Sequence, residues 1–183
     1  MSAGLDTVGL PEDKRGMARP IFVHETHTFN VPPERVFDAW LNPAQAARFL
    51  FASRTGNVMH CEIDPQVGGT FTVTDRRPNP DGDESFFEAQ HRGTYVEIDR
   101  PRRLVFDFTV EPFSGSTTRV TIEIAPGATG GCELMLTHDL GETEDAVHYV
   151  ERTRRGWSAM LRQLEKVVGT HLWSFGLRTP GTA

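Results

Sequence analysis

Apolar and polar residues alternate along most of the chain between residues 20 and 138, as they do in strands with one buried face. Short turns rich in glycine, proline and aspartate separate the alternating segments, and short connections favour an antiparallel meander. The seven predicted strands are residues 20–31, 58–63, 70–74, 86–98, 104–110, 120–124 and 134–138. In residues 86–98 the pattern does not determine which side chains face inward.

Three other segments repeat their apolar residues every three or four positions, which is typical of helices. Short helices are predicted at residues 34–41 and 44–51, and a long one at residues 144–168. The apolar stripe of the long helix consists of Val147, Val150, Trp157, Leu161, Leu164 and Val168. Gly156 costs this helix about 1 kcal/mol relative to alanine. It would let a strand or a bulky ring approach closely.

This order of elements predicts an α+β helix-grip fold: a curved seven-stranded antiparallel sheet wrapped around a long C-terminal helix, with two short helices after strand 1. A single helix does not fill so wide a groove, so we expect an apolar cavity. The expected organisation is a disordered leader (1–18), one domain (19–170) and a tail (171–183). Trp173 and Phe175 in the tail suggest either a homodimer or a cover over the cavity mouth.

Composition narrows the function classes. The net charge of −6 and the isoelectric point near 5.6 argue against a sequence-independent nucleic-acid or anionic-membrane binder. No apolar run is long enough to span a membrane and no secretory signal is recognisable, so we expect a cytoplasmic protein. Cys61 and Cys132 match no metal spacing and are expected to be free, buried thiols.

Five segments in order resemble the activator of heat-shock-protein-90 ATPase homologue family, over roughly residues 19–168. They are HETHTFNVPPERVFDAW (24–40), DPQVGGT (64–70), GTYVEIDRPRRLVF (93–106), ELMLTH (133–138) and RGW (155–157). This family is similar to the START and birch-pollen-allergen (SRPBCC) superfamily, whose members commonly hold hydrophobic ligands. Where relatives carry a Trp-Trp pair, this chain has Phe49-Leu50-Phe51, a change that affects the expected cavity mouth.

The aromatic residues of the predicted interior are the strongest candidates for ligand contacts, although each could equally be core packing. The predicted ligand-binding residues are Phe49, Phe51, Phe71, Val73, Phe106, Phe108, Leu136, His138, Trp157 and Leu161. His138 could bind a ligand carbonyl or act as a general base, but a strand-end histidine bonded to the backbone is the favoured interpretation.

The other titratable residues give no recognisable catalytic or metal site. Glu25 and His27 are expected on a solvated sheet face, and His24, His60 and His91 have no second ligand at metal spacing. The acidic loop of Asp81, Asp83 and Glu84 lacks the bidentate glutamate of a calcium site. We therefore predict no metal and no cofactor.

The sequence is compatible with three alternative functions. The first is the binding of a small hydrophobic ligand in the internal cavity. The second is a cyclase- or dehydratase-like enzyme, which needs converging polar groups, for example His138 with Arg92 or Tyr95. The third is chaperone-ATPase regulation or a stress response; eukaryotic activators carry a further N-terminal domain that eighteen leader residues are not expected to supply.

Overall fold

The computed structural model describes residues 19–52, 57–79, 85–111, 117–142 and 144–169. The expected leader, tail and acidic loop lie outside these residues. The elements are β1 (Phe22–Phe29), α1 (Pro33–Leu41), α2 (Pro43–Ala46), β2 (Asn57–Ile63), β3 (Thr70–Pro78), β4 (Phe86–Asp99), β5 (Arg103–Glu111), β6 (Thr118–Pro126), β7 (Cys132–Asp139) and α3 (Glu144–Gly169).

The seven strands form one sheet in the order β1-β7-β6-β5-β4-β3-β2, with every neighbouring pair antiparallel. Strands β2 to β7 follow one another as a meander, and β1 joins the sheet beside β7. The helix α3 packs along β1 and against α1 on the inner face. The α+β helix-grip fold predicted from the sequence is confirmed.

The two short helices begin at prolines, which fit the first turn because they need no backbone donor there. The Asn42 side chain caps α2 by accepting hydrogen bonds from the backbone N–H groups of Ala44 and Gln45 at 3.0 and 3.2 Å. Helix α2 ends at Ala46, so the prediction of a helix as far as Phe51 is wrong. The Phe49-Leu50-Phe51 segment nevertheless remains buried.

The stripe predicted for α3 is correct in its second half, where Trp157, Leu161, Leu164 and Val168 are buried. It is wrong at Val147, which is 60% exposed, whereas Ala146 is buried. Ala146 lies eleven residues before Trp157, which is close to three full helical turns, so it shares the inner face. No helix in the described ranges is long and apolar enough to cross a membrane.

The strand β4 changes its inward parity part-way along. Ala89, His91 and Tyr95 are buried on the inner face, but a bulge lies between Tyr95 and Glu97. After the bulge, Ile98 is the residue that packs against the core. A bulge adds one residue to one strand and so inverts the alternation, which is why the sequence pattern was ambiguous here.

Gly93 lies opposite both Phe71 and Phe108, and the Phe71 ring occupies the space that a side chain at residue 93 would need. A Cβ atom at Gly93 would meet the Phe71 ring and lie 2.6 Å from the carbonyl oxygen of Asp107. We expect Gly93→Ala to lower the free energy of unfolding by about 1–3 kcal/mol through overpacking, measured by urea denaturation.

Gly156 supplies the matched control. The Cβ of an alanine there would meet only Met160 Cε at 3.9 Å, so neither a strand nor a ring approaches, and that expectation is wrong. We expect Gly156→Ala to raise the free energy of unfolding by about 0.5–1 kcal/mol, the ordinary helix-propensity gain. Equal effects at both glycines would contradict the overpacking explanation.

Candidate functional site

Aromatic rings from four parts of the chain meet between the sheet and α3. The Phe51 ring lies at the centre, with its centroid 6.4 Å from Phe71, 5.4 Å from Phe108 and 5.9 Å from Trp157. Phe106 extends the group, with its ring edge-on to Phe71 at 5.3 Å. The sheet therefore faces α3 across a layer of side-chain rings.

All ten residues predicted to contact a ligand are buried. The structure brings six of them into one network of ring contacts: Phe51, Phe71, Phe106, Phe108, His138 and Trp157. Phe49 instead packs edge-on against Trp40 of α1 at 5.0 Å. Val73, Leu136 and Leu161 are aliphatic members of the interior. Their role in ligand contact remains a prediction.

Phe51 is held in a backbone conformation that bulky residues rarely adopt. Its φ is +56°, in the left-handed region, which costs of order 1–3 kcal/mol for a non-glycine residue. Its backbone N–H donates to Met160 Sδ at 3.1 Å, which ties the segment to α3. The strain is offset by burying the ring, whose face stacks on the His91 imidazole at 4.0 Å and 3°. The Phe51 ring thus covers one face of the His91 ring.

His138 belongs to a chain of side-chain hydrogen bonds. The Trp157 indole N–H donates to His138 Nδ1 at 3.0 Å, and His138 Nε2 lies 3.0 Å from Thr118 Oγ1. Because the indole is only a donor, Nδ1 is an acceptor and Nε2 carries the ring proton. The Thr118 hydroxyl in turn donates to the carbonyl oxygen of Phe108 at 3.4 Å.

Both ring nitrogens of His138 are therefore occupied. Burial lowers the pKa of His138 to about 4, so the ring is neutral near pH 7. The sequence favoured a histidine bonded to the backbone. This is wrong, because both hydrogen-bond partners of His138 are side chains. What the geometry supports is a positioning role: His138 joins α3 to β6 and β7 and fixes the Trp157 ring.

A second buried polar group lies on β3 and β4. The Asp75 carboxylate is fully buried and binds the Arg77 guanidinium through two hydrogen bonds, from Nε to Oδ2 and from Nη2 to Oδ1, the latter at 3.1 Å. His91 Nε2 lies 3.3 Å from Asp75 Oδ1. His91 Nδ1 is buried and has no hydrogen-bond partner in the part of the chain that the structure describes.

Burial and hydrogen bonding together determine whether Asp75 and His91 are ionised. Burial alone would raise the pKa of Asp75, but hydrogen bonds from His91 and Arg77 lower it overall, so the carboxylate is ionised. Burial lowers the pKa of His91 and outweighs the attraction of Asp75. Sequence reasoning missed this group because the predicted strand ended at Thr74. Asp75 shares the parity of Phe71 and Val73, which was the available signal.

The family model described as Activator of Hsp90 ATPase homolog 1-like protein matches residues 30–169, more than half of the chain. The chain belongs to this family. The resemblance stated from five sequence segments is thereby confirmed, and the helix-grip architecture is consistent with the SRPBCC superfamily. No curated protein matches the sequence.

Solved structures of bacterial proteins share the fold of this family member. A protein from Rhodobacter sphaeroides is 19% identical with a TM-score of 0.69, covering 82% of this chain and 93% of its own. A protein from Chromobacterium violaceum is 22% identical with a TM-score of 0.67, and the match covers 80% of this chain and 96% of that one. An AHSA1-like protein from Aeromonas hydrophila is 23% identical with a TM-score of 0.61, covering 82% and 93%. These similarities concern the fold.

His27 and the two cysteines of this family member lie outside the ring layer described above. His27 Nε2 lies 3.0 Å from Glu165 Oε2 of α3, so His27 faces the helix, and the expectation of a solvated sheet face is wrong for this residue. Cys132 is buried and Cys61 only partly so; both are free, and burial raises both pKa values. No group of metal-ligating side chains was found among the described residues.

The polar pairing suggested for an enzyme does not form. Arg92 is exposed on the convex face, where its Nε donates to Gln90 Oε1 at 2.8 Å. Tyr95 faces inward but stands three strands from His138, about 14 Å at ordinary strand spacing. An open groove of about 360 Å³ also lies on the convex side, lined by Thr70, Thr72, Arg92, Thr94, Asp107 and Thr109. Phe71, Gly93 and Phe108 of the same strands also line it, so the groove adjoins the strands that carry the ring layer.

Proposed function

We propose that this protein binds one small apolar molecule, of the size of one or two aromatic rings, between its sheet and α3. The observation that carries the proposal is the ring layer around Phe51, with few polar groups beside it. Ligand pockets in proteins typically combine aromatic walls with a small number of placed polar groups. The family's fold supports the proposal, since helix-grip proteins commonly hold hydrophobic ligands.

The placement of α3 also supports an interior ligand. The helix packs mainly against β1 and α1, and the Trp157 ring extends from it to Phe51 and Phe108. Phe51, the ring that covers His91, is held by a short segment with a strained backbone. A side chain held at such a cost is easier to displace than one on an unstrained helix, so a ligand ring could take its position.

The test is native mass spectrometry of the purified protein, followed by solvent extraction and identification of any small molecule. We expect an apolar compound at near one per chain. After extraction, naphthalene should bind again and quench the tryptophan fluorescence, to which Trp157 contributes. A ligand-free mass, with no thermal shift across a panel of lipids and aromatic metabolites, would contradict the proposal and favour a protein partner.

A pair of valine substitutions tests where the molecule binds. Val73 is fully buried on β3 opposite His91, whereas Val67 is 63% exposed. Val73→Phe fills the interior and is expected to weaken naphthalene binding at least tenfold, at a stability cost of about 1–3 kcal/mol. Val67→Phe should leave binding unchanged. Equal binding by both variants would place the molecule elsewhere.

A further inference from the structure

Two buried side-chain nitrogens among the described residues lack a hydrogen-bond partner: Trp40 Nε1 and His91 Nδ1. Leaving such a group unpaired costs about 1–3 kcal/mol, and buried polar groups are nearly always paired. Both contact the ring layer, and His91 is also oriented by a charged group, the Asp75 carboxylate. Its unpaired nitrogen therefore calls for a functional explanation.

The chemistry of His91 Nδ1 follows from its neighbours. Asp75 is ionised and can only accept, so the hydrogen bond between them requires the proton on His91 Nε2. Because burial lowers the pKa of His91 below 6.5, the ring is neutral near pH 7. Nδ1 is then a lone pair that can accept a hydrogen bond. Arg77 completes the group by holding Asp75 from the partly exposed side.

The geometry around the imidazole favours a flat partner. The Phe51 ring lies almost parallel to the His91 ring, and Phe71 and Phe108 surround Phe51. The Nδ1 lone pair lies in the plane of the imidazole, so a donor must approach the edge of the His91 ring and not the face that Phe51 covers. With Phe51 displaced, an aromatic ligand tilted toward that edge can direct a hydroxyl to Nδ1, whereas a bare hydrocarbon leaves the nitrogen unpaired.

We propose that His91 Nδ1 is the polar anchor of the interior site and accepts a hydrogen bond from a hydroxyl group on an aromatic ligand. The ligand class is then a phenol-type compound rather than a pure hydrocarbon. Asp75 and Arg77 act as positioning residues, since they fix the tautomer of His91 without touching the ligand. This inference rests on the proposed binding function and adds the chemistry of recognition to it.

Three probes of similar size test the inference: 2-naphthol, 2-methoxynaphthalene and naphthalene. The first can donate a hydrogen bond, the second can only accept one, and the third can do neither. We expect the protein to bind 2-naphthol about five- to tenfold more tightly than either of the others, the ordinary effect of one buried hydrogen bond. Isothermal titration gives the three dissociation constants.

His91→Phe removes the acceptor and keeps a flat ring, so it should abolish the preference while retaining naphthalene binding. The matched control is His60→Phe, because the side chain of His60 is 48% exposed on β2. A second readout needs no substitution: the ¹⁵N resonance of His91 Nδ1 should shift with 2-naphthol but not with naphthalene.

The outcomes separate the two proposals. If none of the three probes binds, the interior-ligand function fails and the anchor fails with it. If naphthalene and 2-naphthol bind equally, the function stands and the anchor is overturned. A preference for 2-methoxynaphthalene, or one that survives in His91→Phe, also overturns the anchor, since it assigns recognition to another group such as Trp40.

Discussion

Replacing Asp75 with alanine is expected to lower the free energy of unfolding by about 3 kcal/mol, because removing one member of a buried ion pair leaves its partners unpaired. The carboxylate is fully buried and is the partner of both Arg77 and His91. The loss falls at the lower end of the usual range because the Arg77 side chain is 24% exposed and can turn toward water. Urea denaturation at pH 7 measures it.

Asp38 offers a control with the same chemistry at the surface. It binds Arg100 through two hydrogen bonds of 2.7 and 2.8 Å, but both side chains are about half exposed. Asp38→Ala should cost no more than about 1 kcal/mol, as is usual for exposed ion pairs. If the two alanine variants lose the same stability, burial is not what makes the Asp75 group important.

Replacing His138 with leucine is expected to cost about 2–3 kcal/mol at pH 7.5, because the buried Trp157 indole N–H then has no acceptor. A second effect depends on pH. The pKa of His138 is about 4 in the folded protein and near 6.5 in the unfolded chain. Between these values the unfolded chain binds the proton and the folded protein does not, so stability falls as the pH is lowered through that window.

The two effects can be separated by measuring both proteins at pH 7.5 and pH 5. Lowering the pH to 5 should remove about 2 kcal/mol from the wild-type protein through His138, at 1.36 kcal/mol per pKa unit. The leucine variant lacks this loss, so the difference between the two proteins should shrink by about that amount. Because burial also lowers the pKa of His91, that residue reduces the stability of both proteins at pH 5, and its effect cancels in the difference between them. A difference that is independent of pH would contradict the neutral, buried His138.

Most of the ring layer could be predicted from the sequence because four of its members lie on regular patterns, whereas Phe51 at its centre lies outside any helix or strand. Phe71, Phe106 and Phe108 alternate along strands, and Trp157 lies on a helical stripe, so local periodicity alone orients them inward. The polar groups were harder to predict. Asp75 and His91 are sixteen residues apart, and a charged residue near a strand end is usually solvated.

The sequence by itself determined the seven strands, the long helix and the inward direction of Phe71, Phe106, Phe108 and Trp157, because these depend on periodicities of two and 3.6 residues. Only the tertiary structure decided which side chains pair. The register between β3 and β4 places His91 beside Asp75, and the packing of α3 places Trp157 against His138. Such contacts join residues on different elements, and no periodicity within one element encodes the register or the helix position that creates them.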